Sequence, residues 1–120
     1  MIRKVNLREK LALFDERWSP KVVGELNGQL VKLAKLEGEF VWHHHEAEDE
    51  LFLVVEGRLT LELRDGAVVL GPGEIAIVPA GVEHRPVADG VCSVMLFEPA
   101  STLNTGNLCN ERTVAELERL

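Results

Sequence analysis

Three adjacent histidines, followed directly by acidic residues, form the segment of this sequence with the clearest capacity for chemistry. The segment FVWHHHEAEDE spans residues 40–50 and contains His43, His44, His45 and Glu50. Imidazole nitrogens and carboxylate oxygens are common ligands of divalent transition metals. The same composition also suits a solvated charge run or a purification tag. The tag interpretation is disfavoured, because the histidines are internal, are only three in number and continue an alternating pattern.

Strand geometry divides the three histidines between two faces. Successive side chains of a strand point to opposite faces, so residues two apart share a face. If the histidine segment is a strand, His43 and His45 share one face, and the other face holds Phe40, Trp42 and His44. Two imidazoles on one face can bind the same ion. His44 is expected to be an outward, titratable surface residue.

Two residues beyond the histidines complete a candidate metal site. Glu50 opens the next apolar stretch, so a turn over residues 46–49 would return its carboxylate beside His43 and His45. His84 follows the turn-forming sequence PAGVEH and can approach from a neighbouring strand. Three imidazoles and one carboxylate suit Zn, Mn, Fe, Ni or Co and leave positions for water or substrate. On spacing alone, a metal site and a metal-free cluster of polar residues both remain open.

The remaining acidic residues of the segment have a simpler interpretation. Glu46, Glu48 and Asp49 are expected in a solvated loop. Glu48 is the alternative carboxylate ligand if the turn is tighter than assumed. Arg85 stands next to His84 but points to the opposite face by alternation, so we expect it in a surface or interface salt bridge.

The elements that must position these side chains are short strands. NG at residues 27–28 and DG at 65–66 favour tight hairpins, and residues 58–64 alternate cleanly between leucines and polar residues. Eight or more short strands with frequent turns predict an all-β sandwich or barrel. Residues 111–120 are the exception, because Val114, Leu117 and Leu120 repeat at helical spacing and predict a short C-terminal helix. Strands are predicted at residues 21–26, 29–36, 39–45, 50–55, 58–64, 67–70, 74–78, 84–88 and 91–98.

Composition limits the classes of function. The chain has 120 residues, 46% of them hydrophobic, and this length predicts one domain. Its net charge of −7 argues against nucleic acid or an anionic membrane as a partner. No apolar run approaches ~18 residues, so no transmembrane helix is expected. The N-terminal sequence lacks the apolar core of a signal peptide, so a cytoplasmic protein is expected. Cys92 and Cys109 are expected to be reduced thiols, although a bridge between them stays open.

Two spaced motifs resemble those of the cupin family. The first is matched by Gly38, His43, His45, Glu50 and Gly57, and the second by Gly73, Pro79, Gly81 and His84. The first gap is one residue shorter than usual, and Ala88 stands where an asparagine usually closes the second motif. Neither departure falls on a position of the ligand set. The chain as a whole resembles small single-domain bacterial cupins of unassigned activity.

The resemblance implies a jelly-roll barrel of six to eight strands that holds a divalent ion, Zn, Mn, Fe or Ni, through His43, His45, Glu50 and His84. It also implies a homodimer. Within a single domain over residues 1–120, we expect an N-terminal arm with the first strands at 1–36, the conserved barrel at 37–99, and a C-terminal loop and helix at 100–120.

Two classes of function fit these expectations. A metal-dependent enzyme, of isomerase or dioxygenase type, would act on a small organic molecule, but no catalytic base stands out in the sequence. A non-catalytic module that binds or senses a metal or small ligand is the alternative. The inward positions are mostly apolar, which argues against a sugar phosphate. Phe40, Trp42, Phe52 and Met95 could line a pocket but are expected in the core or a dimer interface, and Trp18 is expected to anchor an interface.

Overall fold

The fold, described for residues 2–120 by a computed structural model, is a β barrel with one short helix near its N-terminus. This arrangement confirms the all-β class predicted from the alternating pattern. Among these residues no helix is long and apolar enough to cross a membrane. The elements are α1 Leu7–Leu11, β1 Lys21–Leu26, β2 Gln29–Glu39, β3 Glu50–Glu56, β4 Leu59–Leu63, β5 Gly66–Leu70, β6 Ile75–Val78, β7 His84–Pro99 and β8 Glu118–Arg119.

The long strand β7 joins the two walls of the barrel. It is antiparallel to β2 from Val87 to Pro99, and it pairs with β4 near its start and with β3 near its end. The sequence predicted two strands here, but Asp89 and Gly90 form a bulge and the ladder continues past them. Gly90 has a φ of +69°, which glycine adopts readily, and the bulge lets β7 bend between the walls.

The inward faces of the strands form one apolar core, and a second cluster lies under α1. The first contains Phe52, Val54 and Leu61, and the second packs Leu11 and Phe14 against Leu33 on the outer face of β2. Asn6 caps α1, because its Oδ1 accepts a hydrogen bond of 3.0 Å from the Glu9 backbone N–H. The two walls are therefore held together mainly by burial of apolar side chains.

The predicted strand at residues 39–45 is wrong. The strand β2 ends at Glu39, and residues 40–49 form a loop in which His43 makes an isolated β-bridge with His84. Pro86 of β7 accepts a hydrogen bond of 2.9 Å from the Phe40 N–H but has no N–H to return. The hydrogen-bonded pairing between β2 and β7 therefore ends at this point.

The predicted helix at residues 111–120 is also wrong. The segment is irregular, with a turn at residues 111–112 and a bend at 115–116, and its end forms β8, which lies parallel to β1. Asn104 accepts a hydrogen bond from the Val114 N–H at 2.8 Å and donates one to the Arg112 carbonyl at 2.7 Å. Leu120 N–H donates to the Val22 carbonyl at 2.9 Å. A ten-residue helix is marginal in isolation, whereas the edge of β1 offers unpaired backbone groups.

Candidate metal centre

The barrel brings four side chains from three separate parts of the chain together. His43 and His45 lie in the loop 40–49, Glu50 is the first residue of β3 and His84 is the first residue of β7. Two backbone hydrogen bonds between His43 and His84, of 3.1 and 2.9 Å, tie the loop to β7. All four side chains are buried. The predicted site residues therefore meet, although the predicted strand that was to carry two of them does not form.

The donor atoms of the four residues lie within 4.8 Å of one another, a spacing suited to one ion between them. Glu50 Oε1 lies 3.3 Å from His45 Nε2 and 3.5 Å from His84 Nε2. The imidazole centroids of His43 and His84 are 4.3 Å apart, and those of His43 and His45 are 5.1 Å apart. Such a group can surround a metal ion with three nitrogen donors and one oxygen donor.

Backbone carbonyl groups orient two of the imidazoles. His43 Nδ1 lies 3.0 Å from the Val41 carbonyl oxygen, and His84 Nδ1 lies 3.0 Å from the Val82 carbonyl oxygen. A carbonyl only accepts, so each Nδ1 bears the proton and each Nε2 keeps a free lone pair. Metal-binding histidines commonly donate their other ring N–H to a backbone carbonyl in this way.

Three buried polar atoms meet without a hydrogen-bond partner. Within residues 2–120, His45 Nε2, Glu50 Oε1 and His84 Nε2 have no hydrogen-bond partner. Buried polar atoms are rarely left unsatisfied, since each costs about 1–3 kcal/mol. The Nδ1 proton of His84 leaves a lone pair on its Nε2 that faces Glu50 Oε1 at 3.5 Å, and a positive charge between the two atoms would relieve their repulsion. A divalent cation meets this requirement, so the residues present fit the metal that the motifs implied.

The site favours deprotonated ligands near neutral pH. Burial and the proximity of His84 lower the pKa of His43 to about 4. Burial alone would raise the pKa of Glu50, but a hydrogen bond with Glu98 and the nearby imidazoles outweigh burial and hold that pKa well below its usual value. Metal ions bind neutral imidazole and ionised carboxylate, so these shifts prepare the site for a cation.

A buried ion pair lies behind Glu50, and the sequence analysis missed it. Lys32 Nζ lies 2.8 Å from Glu98 Oε1, and both side chains are almost fully buried. Burial and the neighbouring charge of Glu50 raise the pKa of Glu98 well above its usual value, while Lys32 opposes that rise. The available signal was Lys32 itself, which shares the inward face of β2 with Leu30.

The other polar residues of the histidine segment stay outside the cluster. His44 is partly exposed and lies 3.9 Å from Glu46, in keeping with the predicted outward position. Glu48 accepts a hydrogen bond of 3.0 Å from Ser101 Oγ, and Asp49 accepts one of 2.8 Å from the Ala80 N–H. Glu48, the alternative ligand, is therefore not brought to the site.

The C-terminal segment holds the histidine loop in place. Asn107 Oδ1 accepts from the His44 N–H at 2.9 Å, and the Asn107 N–H donates to the His44 carbonyl at 2.9 Å. Gly106 packs so closely that a Cβ would overlap the His44 carbonyl oxygen and lie 2.9 Å from His43 Cδ2. The sequence analysis assigned no role to these residues, since nothing local marks a contact across more than 60 positions.

A mainly apolar cavity opens beside the cluster. The volume that water molecules can occupy in it is about 40 Å³, whereas the total empty space of about 420 Å³ includes open solvent at its mouth. The prediction that Phe40 points away from His43 is wrong, because the two rings meet edge to face at 5.5 Å. Trp18, expected at an interface, also lines the cavity. The lining residues are Trp18, Pro20, Ala34, Leu36, Phe40, His43, Glu50, Phe52, Pro86, Val94, Leu96 and Asn104.

Two further expectations concern surface arginines and aromatic residues. Arg85 forms the predicted salt bridge, with Glu62 at 2.7 Å and Glu39 at 3.2 Å. Trp42 lies outside the cavity, with the Arg64 guanidinium 3.8 Å from its ring centroid. The aromatic residues near the site thus divide into a cavity group and a surface group.

Both cysteines are free thiols, Cys92 in the core and Cys109 on the surface, so the bridge left open by the sequence is not formed. Burial raises the pKa of Cys92 to about 11. A thiol with so high a pKa is a poor nucleophile and a poor metal ligand. Neither cysteine belongs to the histidine and glutamate cluster.

Comparison with known proteins places these observations in context. Residues 29–98 match the family described as the cupin domain. A curated relative, the uncharacterized protein YdbB of Bacillus subtilis (strain 168), is 36% identical over 95 residues, which cover 78% of this chain and 73% of the relative.

Two solved structures resemble the barrel closely. A cupin-2 domain protein of Shewanella frigidimarina has 46% identity and a TM-score of 0.78, covering 79% of this chain and 93% of its own. The protein NMB1881 of Neisseria meningitidis has 34% identity and a TM-score of 0.75, covering 82% of this chain and 100% of its own.

Proposed function

The chain belongs to the cupin family, and we propose that it binds a divalent metal ion through His43, His45, Glu50 and His84 and presents that ion to a small organic molecule. One observation supports this function above the others. Buried polar atoms of His45, Glu50 and His84 face one another without a hydrogen-bond partner. A metal-free polar cluster would have to bear that cost without compensation.

The chain's own residues define what each would contribute. The backbone carbonyls of Val41 and Val82 fix the tautomers of His43 and His84. Glu50 supplies the negative charge. When bound, a divalent ion supplies a Lewis acid in a site that excludes most water. Zn, Mn, Fe and Ni all accept this ligand set, so the element is left to measurement.

Whether the site turns a substrate over depends on groups other than the ligands. Among the residues lining the cavity, the titratable side chains are His43 and Glu50, both of which belong to the ligand set. An enzyme of isomerase or dioxygenase type would therefore rely on its metal rather than on a separate general base. This observation keeps a binding or sensing module as the second candidate. Turnover of any compound that is lost in His84→Ala would favour the enzyme.

The direct test is elemental analysis of protein purified without a histidine tag. Wild-type protein is expected to hold close to one ion per chain, as isolated or after reloading. His84→Ala and His43→Ala should lose most of that ion, whereas the matched control His44→Ala should keep it. Circular dichroism would verify that each variant retains its β structure. Equal metal content in all four proteins, or none in reloaded wild type, would contradict the proposed site.

We also propose that the protein is a homodimer. The outer face of β3, β6 and β7 presents apolar side chains, with Ile75 and Ile77 56% and 59% exposed. Cross-strand pairing aligns them into one surface. An uncharged apolar face of this kind suits a second copy of the same surface in a two-fold interface. The surface comprises Leu51, Leu53, Ile75, Ile77, Met95 and Phe97.

Sedimentation velocity tests the homodimer. The wild-type protein is expected to sediment as a dimer, and Ile77→Glu as a monomer, because the new charge would be buried in the interface. Val69→Glu is the control, since Val69 is 49% exposed on β5, outside the surface. A monomeric wild type, or an Ile77→Glu protein that stays dimeric, would contradict this interface.

A further inference from the structure

We propose that the cavity beside His43 and Glu50 receives a small, largely apolar molecule that has a planar ring and one metal-binding polar group. The inference rests on the proposed metal site and goes beyond it by naming the chemical class of the ligand. It is based on the walls of the cavity rather than on the metal, because the walls decide which molecules can lie next to the ion.

The cavity has almost no free polar partner to offer. Apart from His43 and Glu50, the polar side chain in its wall is Asn104, and neither lysine nor arginine lines it. Both ends of the Asn104 amide are already bonded, to the Arg112 carbonyl and the Val114 N–H. A sugar, a phosphate ester or a dicarboxylate would lose its hydration without compensation here.

The nearby cations are also committed elsewhere. Lys32 is paired with Glu98 at 2.8 Å, behind Glu50 and outside the cavity wall. Arg112 lies 5.5 Å from the Trp18 centroid and donates to the Glu39 carbonyl at 2.8 Å, also outside the wall. The ligand must therefore satisfy its polar atoms mainly through the ion.

An aromatic wall leads directly to the metal ligands. The rings of Trp18 and Phe40 are stacked, with centroids 4.5 Å apart and planes 12° apart. Phe40 meets His43 edge to face at 5.5 Å, and Phe52 also lines the cavity. Planar apolar groups pack favourably against such surfaces in offset or edge-to-face geometry. A ring attached to a metal-bound group would lie against this wall.

The backbone holds Trp18 in place at some conformational cost. Its φ is +59°, a left-handed conformation that bulky residues rarely adopt. The Trp18 N–H donates to the Lys35 carbonyl at 2.8 Å, and its indole Nε1–H donates to the Glu37 carbonyl at 3.1 Å. The polar atom of the indole is thus satisfied by the backbone, and the ring contributes an apolar surface. Strained residues of this kind concentrate at ligand sites.

The test uses two metal-binding probes that differ only in their apolar part. Benzohydroxamate and acetohydroxamate share the same chelating group, so a difference in affinity for the Zn²⁺-loaded protein reports the cavity wall. Calorimetric titration is expected to show benzohydroxamate binding at least about tenfold more tightly, because the ring is removed from water against the wall. In Trp18→Ala that ratio should fall toward one while the zinc stoichiometry is unchanged.

Control variants separate the wall from the fold. Trp42→Ala also removes an indole, but from the surface beside Arg64, and should keep the wild-type ratio. If Trp18→Ala does not fold, Phe40→Leu removes the other ring of the stack. Equal affinities of the two probes for zinc-loaded wild type would overturn the inference and leave the metal site standing. If the wild type binds Mn, Fe or Ni but not zinc, the same two probes are compared on that ion. Failure of the wild type to bind any of the four ions would overturn the proposed function, and the inference with it.

Discussion

Replacing Gly106 with alanine tests whether the C-terminal segment positions the metal ligands. Gly106 has a φ of +59°, and an added Cβ would overlap the His44 carbonyl oxygen and lie 2.9 Å from His43 Cδ2. A carbon–carbon contact is comfortable at about 3.5–4.0 Å, so the His43 ring or the segment must move by roughly 1 Å. The alanine therefore changes the position of a ligand without removing any ligand.

The expected loss of metal affinity follows from that displacement. Metal–ligand distances are tolerated within about 0.2 Å of their usual values, well below a shift of roughly 1 Å. We expect the Gly106→Ala protein to bind zinc about 10- to 100-fold more weakly, the range seen when the support of a ligand is lost. The overlap should also cost about 1–3 kcal/mol of stability beyond the backbone term.

Gly90 offers a matched control for the stability cost of placing alanine in a left-handed backbone conformation. Its φ is +69°, but a Cβ there meets nothing within 4 Å. Gly90→Ala should therefore cost only the left-handed conformation, about 1–2 kcal/mol, and leave zinc affinity unchanged. Competition against a chromophoric chelator gives the affinity, and urea unfolding of the metal-free protein gives the stability. Equal zinc affinities for the two variants would refute the positioning role of Gly106.

Three further predictions concern buried ionisable groups. Lys32→Met should destabilise the protein by about 3 kcal/mol in urea unfolding, because it leaves Glu98 buried without its cation. The double variant Lys32→Met/Glu98→Leu should recover most of that stability. An unchanged stability of the single variant would contradict the pairing. The pKa of His43 is about 4 in the folded protein and 6.5 for the free side chain, so protonation favours the unfolded chain. The free energy of unfolding of the metal-free protein should therefore be highest above pH 6.5 and should fall by roughly 3 kcal/mol as the pH drops toward 4. A His43→Gln protein whose free energy of unfolding falls equally with pH would contradict this assignment. Mass spectrometry after iodoacetamide treatment of the native protein should show alkylation of Cys109 and none of Cys92. The Cys92 thiol is buried and has a pKa of about 11, so little reactive thiolate forms. Rapid alkylation of Cys92 would contradict its burial.

Some features of the site were predictable because their signals are local. The sequence indicated the proposed ligand set, because the residue types of the HxH pair, Glu50 and His84 are common metal ligands. Their spacing from turn-forming glycines and prolines also pointed to them. The alternation also placed His43 and His45 inward and His44 outward, although the segment is a loop. The inward direction survived because the bridge between His43 and His84 keeps extended geometry at that point.

Other features depended on partners distant in sequence. The pairing of β2 with β7 stops after Glu39 because Pro86 has no N–H to donate. Pro86 lies opposite this part of the chain only because β2 and β7 pair. The segment 111–120 has helical spacing, but Asn104 and the free edge of β1 bind its backbone instead. Local propensity is too weak to prevail over such tertiary hydrogen bonds.

By itself, the sequence determined the all-β class, the hairpins and the identity of the four candidate ligands, because alternation, turn residues and motif spacing are properties of neighbouring positions. Only the tertiary structure decided the depth of the site, the Lys32–Glu98 pair behind it, the aromatic wall beside it and the contact of Gly106 with its loop. Each of these joins residues dozens of positions apart, and their packing is set by the closure of the barrel around one shared core. The residue types of the candidate site are thus encoded locally, whereas their relative positions depend on contacts between distant segments.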